Sequence, residues 1–168
     1  MLNPVYLLAQ NGMAAICAHT NLDAAENGVN TVLAKKIGLE NLQKWDIGLI
    51  GESSIKNIRE FALYVKEKLF SEKVSVVDSK KDVKRVAVMS GAGGGDIQSA
   101  LQACADTLVT GEMKYSQFIE AKNYGLNVIA AGHFETENII IPFLNSEIKE
   151  RFPMLECFSN TKKPLFDI

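Results

Sequence analysis

Short, unbroken apolar runs that alternate with amphipathic segments limit the folds open to this chain more than any other feature. Two of these runs are Met13–Ala18 and Leu126–Ala130. Runs of this length are typical of strands buried on both faces, as in sheets covered by helices on either side. Between Ile55 and Leu69, by contrast, apolar residues recur at three-and-four spacing, which indicates a helix with one buried face. The alternation predicts a layered α/β fold with some parallel strand pairing.

Cap and turn residues divide the rest of the chain into the same two kinds of segment. Asn3 begins a first helix that ends at Gly12, and Ser53 or Ser54 caps the long helix. The predicted strands are residues 13–18, 47–50, 74–77, 85–90, 107–110, 126–132 and 154–158, and the further helices are residues 28–37, 96–105, 114–123 and 136–152.

Composition narrows the class of protein. A chain of 168 residues is long enough to bury roughly 70% of its unfolded surface, so we expect a single domain over residues 1–168. The net charge of -2 argues against nucleic-acid binding, which needs a basic face. Three widely separated cysteines indicate neither a disulfide framework nor a zinc knuckle. With no apolar run near ~18 residues and no basic start, we expect a cytoplasmic protein without a membrane span.

The chain has only two histidines, and each begins a His-x-x-x-acid pattern directly after a predicted strand. The pairs are His19 with Asp23 and His133 with Glu137. Imidazole nitrogen together with carboxylate oxygen suits zinc, manganese or iron. Alternatively, each acid caps the helix that follows and each histidine satisfies a buried carbonyl. The residues alone leave both interpretations open.

A glycine-rich loop, Gly91–Gly95, invites comparison with phosphate-binding loops. It lacks the third glycine of the dinucleotide fingerprint, and no Gly-Lys-Ser/Thr follows. We therefore predict a sharp strand-to-helix turn in which Asp96 caps the next helix.

Six motifs follow one another along the chain: His-Thr-Asn-Leu-Asp-Ala at 19–24, Gly-Val-Asn at 28–30, Leu-Ala at 33–34, Gly-Ala-Gly at 91–93, Thr-Gly-Glu at 110–112 and Gly-His-Phe-Glu-Thr-Glu at 132–137. Together and in this order, they resemble the Nif-three-like family. Members of that family form dinuclear metal centres and are often named GTP cyclohydrolase 1 type 2 homologs.

The resemblance implies a Nif-three-like α/β fold and a set of metal ligands. Asp23, His133 and Glu137 match the family's ligands, whereas His19 is not a usual one and either hydrogen-bonds a ligand or packs. The implied cofactor is one or two divalent ions of zinc, iron or manganese. Family members assemble as ring-shaped hexamers whose metal centres face an internal cavity, so we expect a homo-oligomer of this kind.

The chain also departs from the family pattern. The family supplies further ligands from a His-His pair upstream of the segment that begins here at Asn3, and this sequence contains no such pair. The chain is therefore expected to be either the carboxyl-terminal portion of a longer protein or an amino-terminally shortened relative with an incomplete site. In addition, Glu112 replaces the usual aspartate of Thr-Gly-Asp, and Ser116 stands where a histidine is common.

Two classes of function follow from the resemblance. The first is a metal-dependent hydrolase in which a metal-activated water attacks a small, nucleotide-like substrate, with Glu135 or Glu112 as proton acceptor. The second is a non-catalytic metal-binding regulatory or scaffold assembly. Resemblance in fold does not decide between them.

Overall fold

A computed structural model of the chain describes residues 3–164, and it shows a single six-stranded mixed sheet covered by helices. The strands lie in the order β1-β2-β4-β5-β6-β3. They are β1 (Glu40–Trp45), β2 (Gly48–Glu52), β3 (Ser75–Val77), β4 (Arg85–Met89), β5 (Thr107–Thr110) and β6 (Asn127–Ala130). The helices are α1 (Pro4–Gln10), α2 (Thr20–Asp23), α3 (Val29–Lys36), α4 (Ile58–Leu69), α5 (Ile97–Gln102), α6 (Tyr115–Asn123), α7 (His133–Glu137) and α8 (Ile140–Arg151). The predicted α/β architecture is confirmed.

Three neighbouring parallel strands, β4, β5 and β6, form the centre of the sheet. Their last residues, Met89, Thr110 and Ala130, are in register with one another. The carboxyl ends of these strands therefore meet at one edge of the sheet, where open α/β sheets place their binding sites. The antiparallel strands β2 and β3 flank this centre, and β1 pairs with β2.

Successive residues of the central strands face opposite sides of the sheet and enter two separate cores. Val86 and Val88 of β4 pack with α3 and α4, where Phe61 is the largest fully buried side chain. Ala87 and Met89 of the same strand pack on the other side with α5 and α6. Helices on both faces explain why nearly every residue of these strands is buried.

Two of the predicted strands are wrong. Residues 13–18 and 154–158 form no strand and are largely exposed, with Ile16 94% and Met154 98% accessible. An apolar run becomes a buried strand only where another backbone pairs with it and other elements cover it. Neither segment pairs with a strand in the described part of the chain. Conversely, the polar strand β1 was not predicted because most of its side chains are exposed at the edge of the sheet.

Most helices lie where they were predicted, but α2 was not predicted and two caps are wrong. The predicted helix over residues 136–152 is α8, preceded by a separate short helix, α7, that begins already at His133. Asn3 caps α1, as predicted, by accepting the Val5 N–H at 3.0 Å. The helix α4 is capped by Asn57 rather than by Ser53 or Ser54. Asp96 makes no side-chain cap, because the preceding glycines form a turn of 3-10 helix that leads directly into α5. None of the helices within residues 3–164 is long and apolar enough to cross a membrane.

Replacing Phe61 by alanine tests the packing of α4 on the sheet. Because Phe61 is 1% exposed, we expect Phe61→Ala to lower the free energy of unfolding by about 3–5 kcal/mol. Leu63 is a matched control on the same helix, since it is 66% exposed, and Leu63→Ala should change stability by no more than about 0.5 kcal/mol. Urea denaturation measures both values. Equal losses would show that α4 does not pack through the Phe61 face.

Candidate metal centre

Three loops meet at the carboxyl edge of the parallel strands, and backbone hydrogen bonds join them. The Glu112 N–H after β5 donates to the Gly91 carbonyl after β4 at 2.9 Å. The Gly132 N–H after β6 donates to the Gly111 carbonyl at 2.8 Å. The short helix α7 begins at the next residue, His133. This histidine therefore lies where a strand end was predicted to place it.

The imidazole of His133 lies between two carboxylates. Its Nδ1 is 3.1 Å from Oε1 of Glu112, and its Nε2 is 3.1 Å from Oε1 of Glu137. Glu137 is one helical turn further along α7, whereas Glu112 comes from the neighbouring loop. The predicted pair His133 and Glu137 is thus in direct contact. The alternative interpretation, in which this histidine satisfies a buried carbonyl, is wrong because both ring nitrogens face carboxylate oxygens.

These carboxylates change the protonation of His133. Partial burial favours the neutral ring, but the hydrogen bond to Glu112 and the negative charges of Glu137 and Glu112 outweigh it and raise the pKa of His133. A raised pKa in the folded protein means that the charged ring stabilises the fold below its ordinary pKa. This contribution is lost as the pH rises through the raised value.

Asp23 lies close enough to both histidines for their charges to affect it. Burial raises the pKa of the Asp23 carboxyl, and the nearby rings of His19 and His133 only partly offset this effect. Asp23 is the last residue of the short helix α2, which follows exposed coil rather than the predicted strand. The two His-x-x-x-acid pairs therefore do not occupy equivalent strand ends. The ring of His19 instead lies 3.0 Å from the Thr20 hydroxyl.

Glu135 differs from its neighbours on α7. Its side chain is 11% exposed, and its Oε1 lies 2.9 Å from Nζ of Lys163. Glu135 and Lys163 line a cavity of about 560 Å³ together with Glu112 and His133. Glu135 is thus close to the candidate centre but forms an ion pair, whereas Glu112 contacts the histidine. Their suggested role as proton acceptors remains a prediction.

Gly91 has a structural role that the neighbouring sequence did not reveal. It has a positive φ of 60°. A Cβ atom at this position would overlap Oε1 of Glu137 and lie 3.2 Å from Nε2 of His133. The glycine motif was interpreted only as a turn, but it also leaves space for the carboxylate of Glu137. The spacing of the glycines carries no signal for such a contact, because Glu137 is remote in sequence.

The side chains Asp23, His133 and Glu137 offer an oxygen, a nitrogen and an oxygen, the donors that zinc, iron and manganese accept. Two donors bound about 2.1 Å from one tetrahedral ion lie roughly 3.4 Å apart. The 3.1 Å between His133 and Glu137 is close to this spacing. Across residues 3–164, however, no group of three or more histidine, cysteine, aspartate or glutamate side chains is arranged to hold a metal ion. The donor chemistry fits a metal, and a third ligand would have to move into place.

The family model described as Duf34/NIF3 (NGG1p interacting factor 3) matches residues 3–164. The chain belongs to this family. A Pyrococcus abyssi relative, named GTP cyclohydrolase 1 type 2 homolog, is 35% identical over 160 residues, which are 90% of this chain and 64% of the relative. The family predicted from the motifs is therefore confirmed, and this chain spans less than two thirds of that relative's length.

Solved structures show the same fold. The Thermus thermophilus protein TTHA1606 is 32% identical and superimposes with a TM-score of 0.79 over 96% of this chain and 66% of that one. The Staphylococcus aureus hypothetical protein SA1388 has a TM-score of 0.85, covering 98% of this chain and 72% of that one. At 24% identity, this second similarity supports the fold alone.

Substitution of Gly91 by alanine tests the contact with Glu137. Both Gly91 and Gly12 have φ near 60°, so alanine at either position should cost about 1–2 kcal/mol of backbone strain. No atom lies within 4 Å of the point where a Cβ would stand at Gly12, whereas a Cβ at Gly91 overlaps Glu137. We expect Gly91→Ala to destabilise the protein more than Gly12→Ala and to shift the NMR signals of the His133 ring. Equal unfolding free energies with an unshifted ring would contradict the contact.

The pKa of His133 tests its pairing with Glu112. Because the hydrogen bond to Glu112 contributes to the raised pKa, Glu112→Gln should lower it. Glu135→Gln is the control, since Glu135 is on the same helix as His133 but pairs with Lys163. NMR titration of the ring protons measures each pKa. A value that falls equally in both variants would show that general loss of negative charge, not the Glu112 hydrogen bond, sets the protonation of the ring.

Proposed function

We propose that Asp23, His133 and Glu137 bind a divalent ion of zinc, iron or manganese, and that the protein is a metal-dependent hydrolase. The observation that carries the proposal is the concentration of carboxylates around His133. Glu112 and Glu137 contact the imidazole and raise the pKa of His133, while burial raises the pKa of Asp23 nearby. A site with this excess of negative charge is stabilised by a cation, which takes the place of the proton.

Glu112 and Glu137 would have different roles at the two ring nitrogens of His133. By accepting the Nδ1–H of His133, Glu112 would fix the tautomer in which Nε2 can bind the ion. Glu137 lies next to Nε2, so that its carboxylate and Nε2 could bind the same ion. When bound, the ion would lower the pKa of a water molecule so that hydroxide is available near neutral pH. Asp23, from α2, would complete the set of ligands.

The substrate would occupy the cavity beside His133. Its volume of about 560 Å³ is in the range of small-molecule sites. Its wall includes the aromatic rings of Phe118 and Phe134 and the ion pair of Glu135 with Lys163. This mixture of apolar and charged groups suits a small nucleotide-like molecule. The name of the Pyrococcus abyssi relative, GTP cyclohydrolase 1 type 2 homolog, agrees with such a substrate.

A non-catalytic regulatory or scaffold assembly is the second candidate function, and the exposed apolar residues favour it. Ile16, Met154 and Phe158 are large apolar side chains that lie almost fully in solvent. Such side chains are suited to contacts with another chain, including the copies that would make a ring-shaped hexamer.

The free cysteines Cys17 and Cys104 fit a reducing compartment such as the cytoplasm.

Elemental analysis of the purified protein tests metal binding. We expect at least one equivalent of zinc, iron or manganese per chain, and His133→Ala should lose it because the nitrogen ligand is removed. His19→Ala is the matched control, since His19 contacts Thr20, and it should retain the metal. A wild-type protein that takes up no metal, even after incubation with each ion, would refute the proposal.

Asp23→Asn distinguishes the two candidate functions. In a hydrolase, this variant should lose turnover of nucleotide substrates at least about tenfold, because a metal ligand is weakened. Its sedimentation coefficient should stay the same. In a scaffold, the sedimentation coefficient should fall and no turnover should be found in either protein. Hydrolysis of a nucleotide panel and analytical ultracentrifugation provide the two measurements.

A further inference from the structure

The side chain of Asn30, on α3, connects the segment that carries Asp23 to the end of β4. Asn30 is 1% exposed. Its Nδ2 donates to the carbonyl of Asp23 at 3.3 Å and to that of Ile47 at 3.0 Å. Its Oδ1 accepts the N–H of Ser90 at 2.8 Å. One buried amide thus joins the segment that carries the candidate ligand Asp23 to the loop that follows β4.

The side chain of Thr136, on α7, makes the equivalent connection for the other two candidate ligands. Its fully buried hydroxyl accepts the N–H of Gly91 at 3.1 Å. The same hydroxyl lies within donating distance of the carbonyls of Gly132 at 2.9 Å and His133 at 3.0 Å. The first turn of α7, which carries His133 and leads to Glu137, is therefore bonded to Gly91, the residue after Ser90.

The two connections meet on consecutive peptide groups. The N–H groups of Ser90 and Gly91 lie just past the end of β4, and side chains rather than neighbouring strands accept them. Buried backbone groups need such partners, because leaving one unsatisfied costs about 1–3 kcal/mol. Loss of either side chain would therefore leave a buried N–H group of the Ser90–Gly91 loop without its acceptor.

We propose that Asn30 and Thr136 are positioning residues, which together set the distance between Asp23 and the His133–Glu137 pair through the Ser90–Gly91 loop. In this proposal, neither side chain binds the metal. The proposal deepens the proposed function, since it rests on that function for what the site binds. The arrangement of the two loops, however, can be tested without metal.

Asn127 supplies a matched control for Asn30. It is also a fully buried amide that bonds to backbone and hydroxyl groups, namely those of Ser79, Lys81 and Thr107, and none of these belongs to the candidate centre. Asn30→Leu and Asn127→Leu should both lower overall stability. Only Asn30→Leu should weaken zinc binding, by about 10–100-fold, as is typical when a group that orients a ligand is lost.

A metal-free measurement separates this proposal from the proposed function. In Asn30→Leu, we expect the backbone amide signals of Asp23, Gly91 and His133 to shift, and the Ser90 amide to exchange faster with deuterium. In Asn127→Leu these signals should remain as in the wild type. If the wild type binds none of zinc, iron and manganese, the proposed function fails, and the amide signals alone decide the inference.

Thr136 allows the same test should Asn30→Leu fail to fold. Thr136→Val keeps the shape but removes the hydroxyl, and Thr136→Ser restores it. Zinc affinity and the Gly91 and His133 amide signals should change in Thr136→Val and return in Thr136→Ser. Wild-type amide signals in Thr136→Val, or equal effects of Asn30→Leu and Asn127→Leu on the candidate centre, would overturn the proposal.

Discussion

The candidate centre depends on the backbone of Gly91, because the loops that form the site contact this residue or the one before it. The Gly91 carbonyl accepts the Glu112 N–H, and its N–H donates to Thr136. The absence of a side chain leaves room for Glu137. One residue at the end of β4 therefore fixes the loops after β5 and β6 together. The parallel sheet supplies this meeting point, since its three central strands end in register.

The parts of the fold that could be predicted from the sequence are those with a repeated local signal. The central strands contain short apolar runs and α4 has a regular apolar face, so both were found. Residues 13–18 carry the same strand signal as β6, yet they are exposed, because burial depends on a pairing partner that local sequence does not specify. His133 and Glu137 were recognised from their motif. The contact of Glu112 with His133 was not, because it joins residues 21 positions apart through the register of two strands.

Electrostatics relates the fold to the chemistry of the site. Each of the two carboxylates that touch His133 would repel the other in the absence of a positive charge between them. A proton on the ring supplies such a charge, and the two carboxylates accordingly raise the pKa of His133. Under the proposed function, a metal ion would compete with this proton for the same nitrogen. Metal binding should therefore release a proton, and it should weaken as the pH falls below the raised pKa of the ring.

The exposed apolar segments bear on both candidate functions, because they end at the site. Ala18, which closes the first segment, and Asn160, just beyond the second, line a cavity of about 410 Å³ together with Asp23 and Glu137. A chain that covered these segments would therefore border two of the candidate ligands. It would also exclude water from them, and the lower local dielectric would strengthen their attraction for a cation. Under the proposed function, a site covered in this way should hold its metal more tightly than an exposed one.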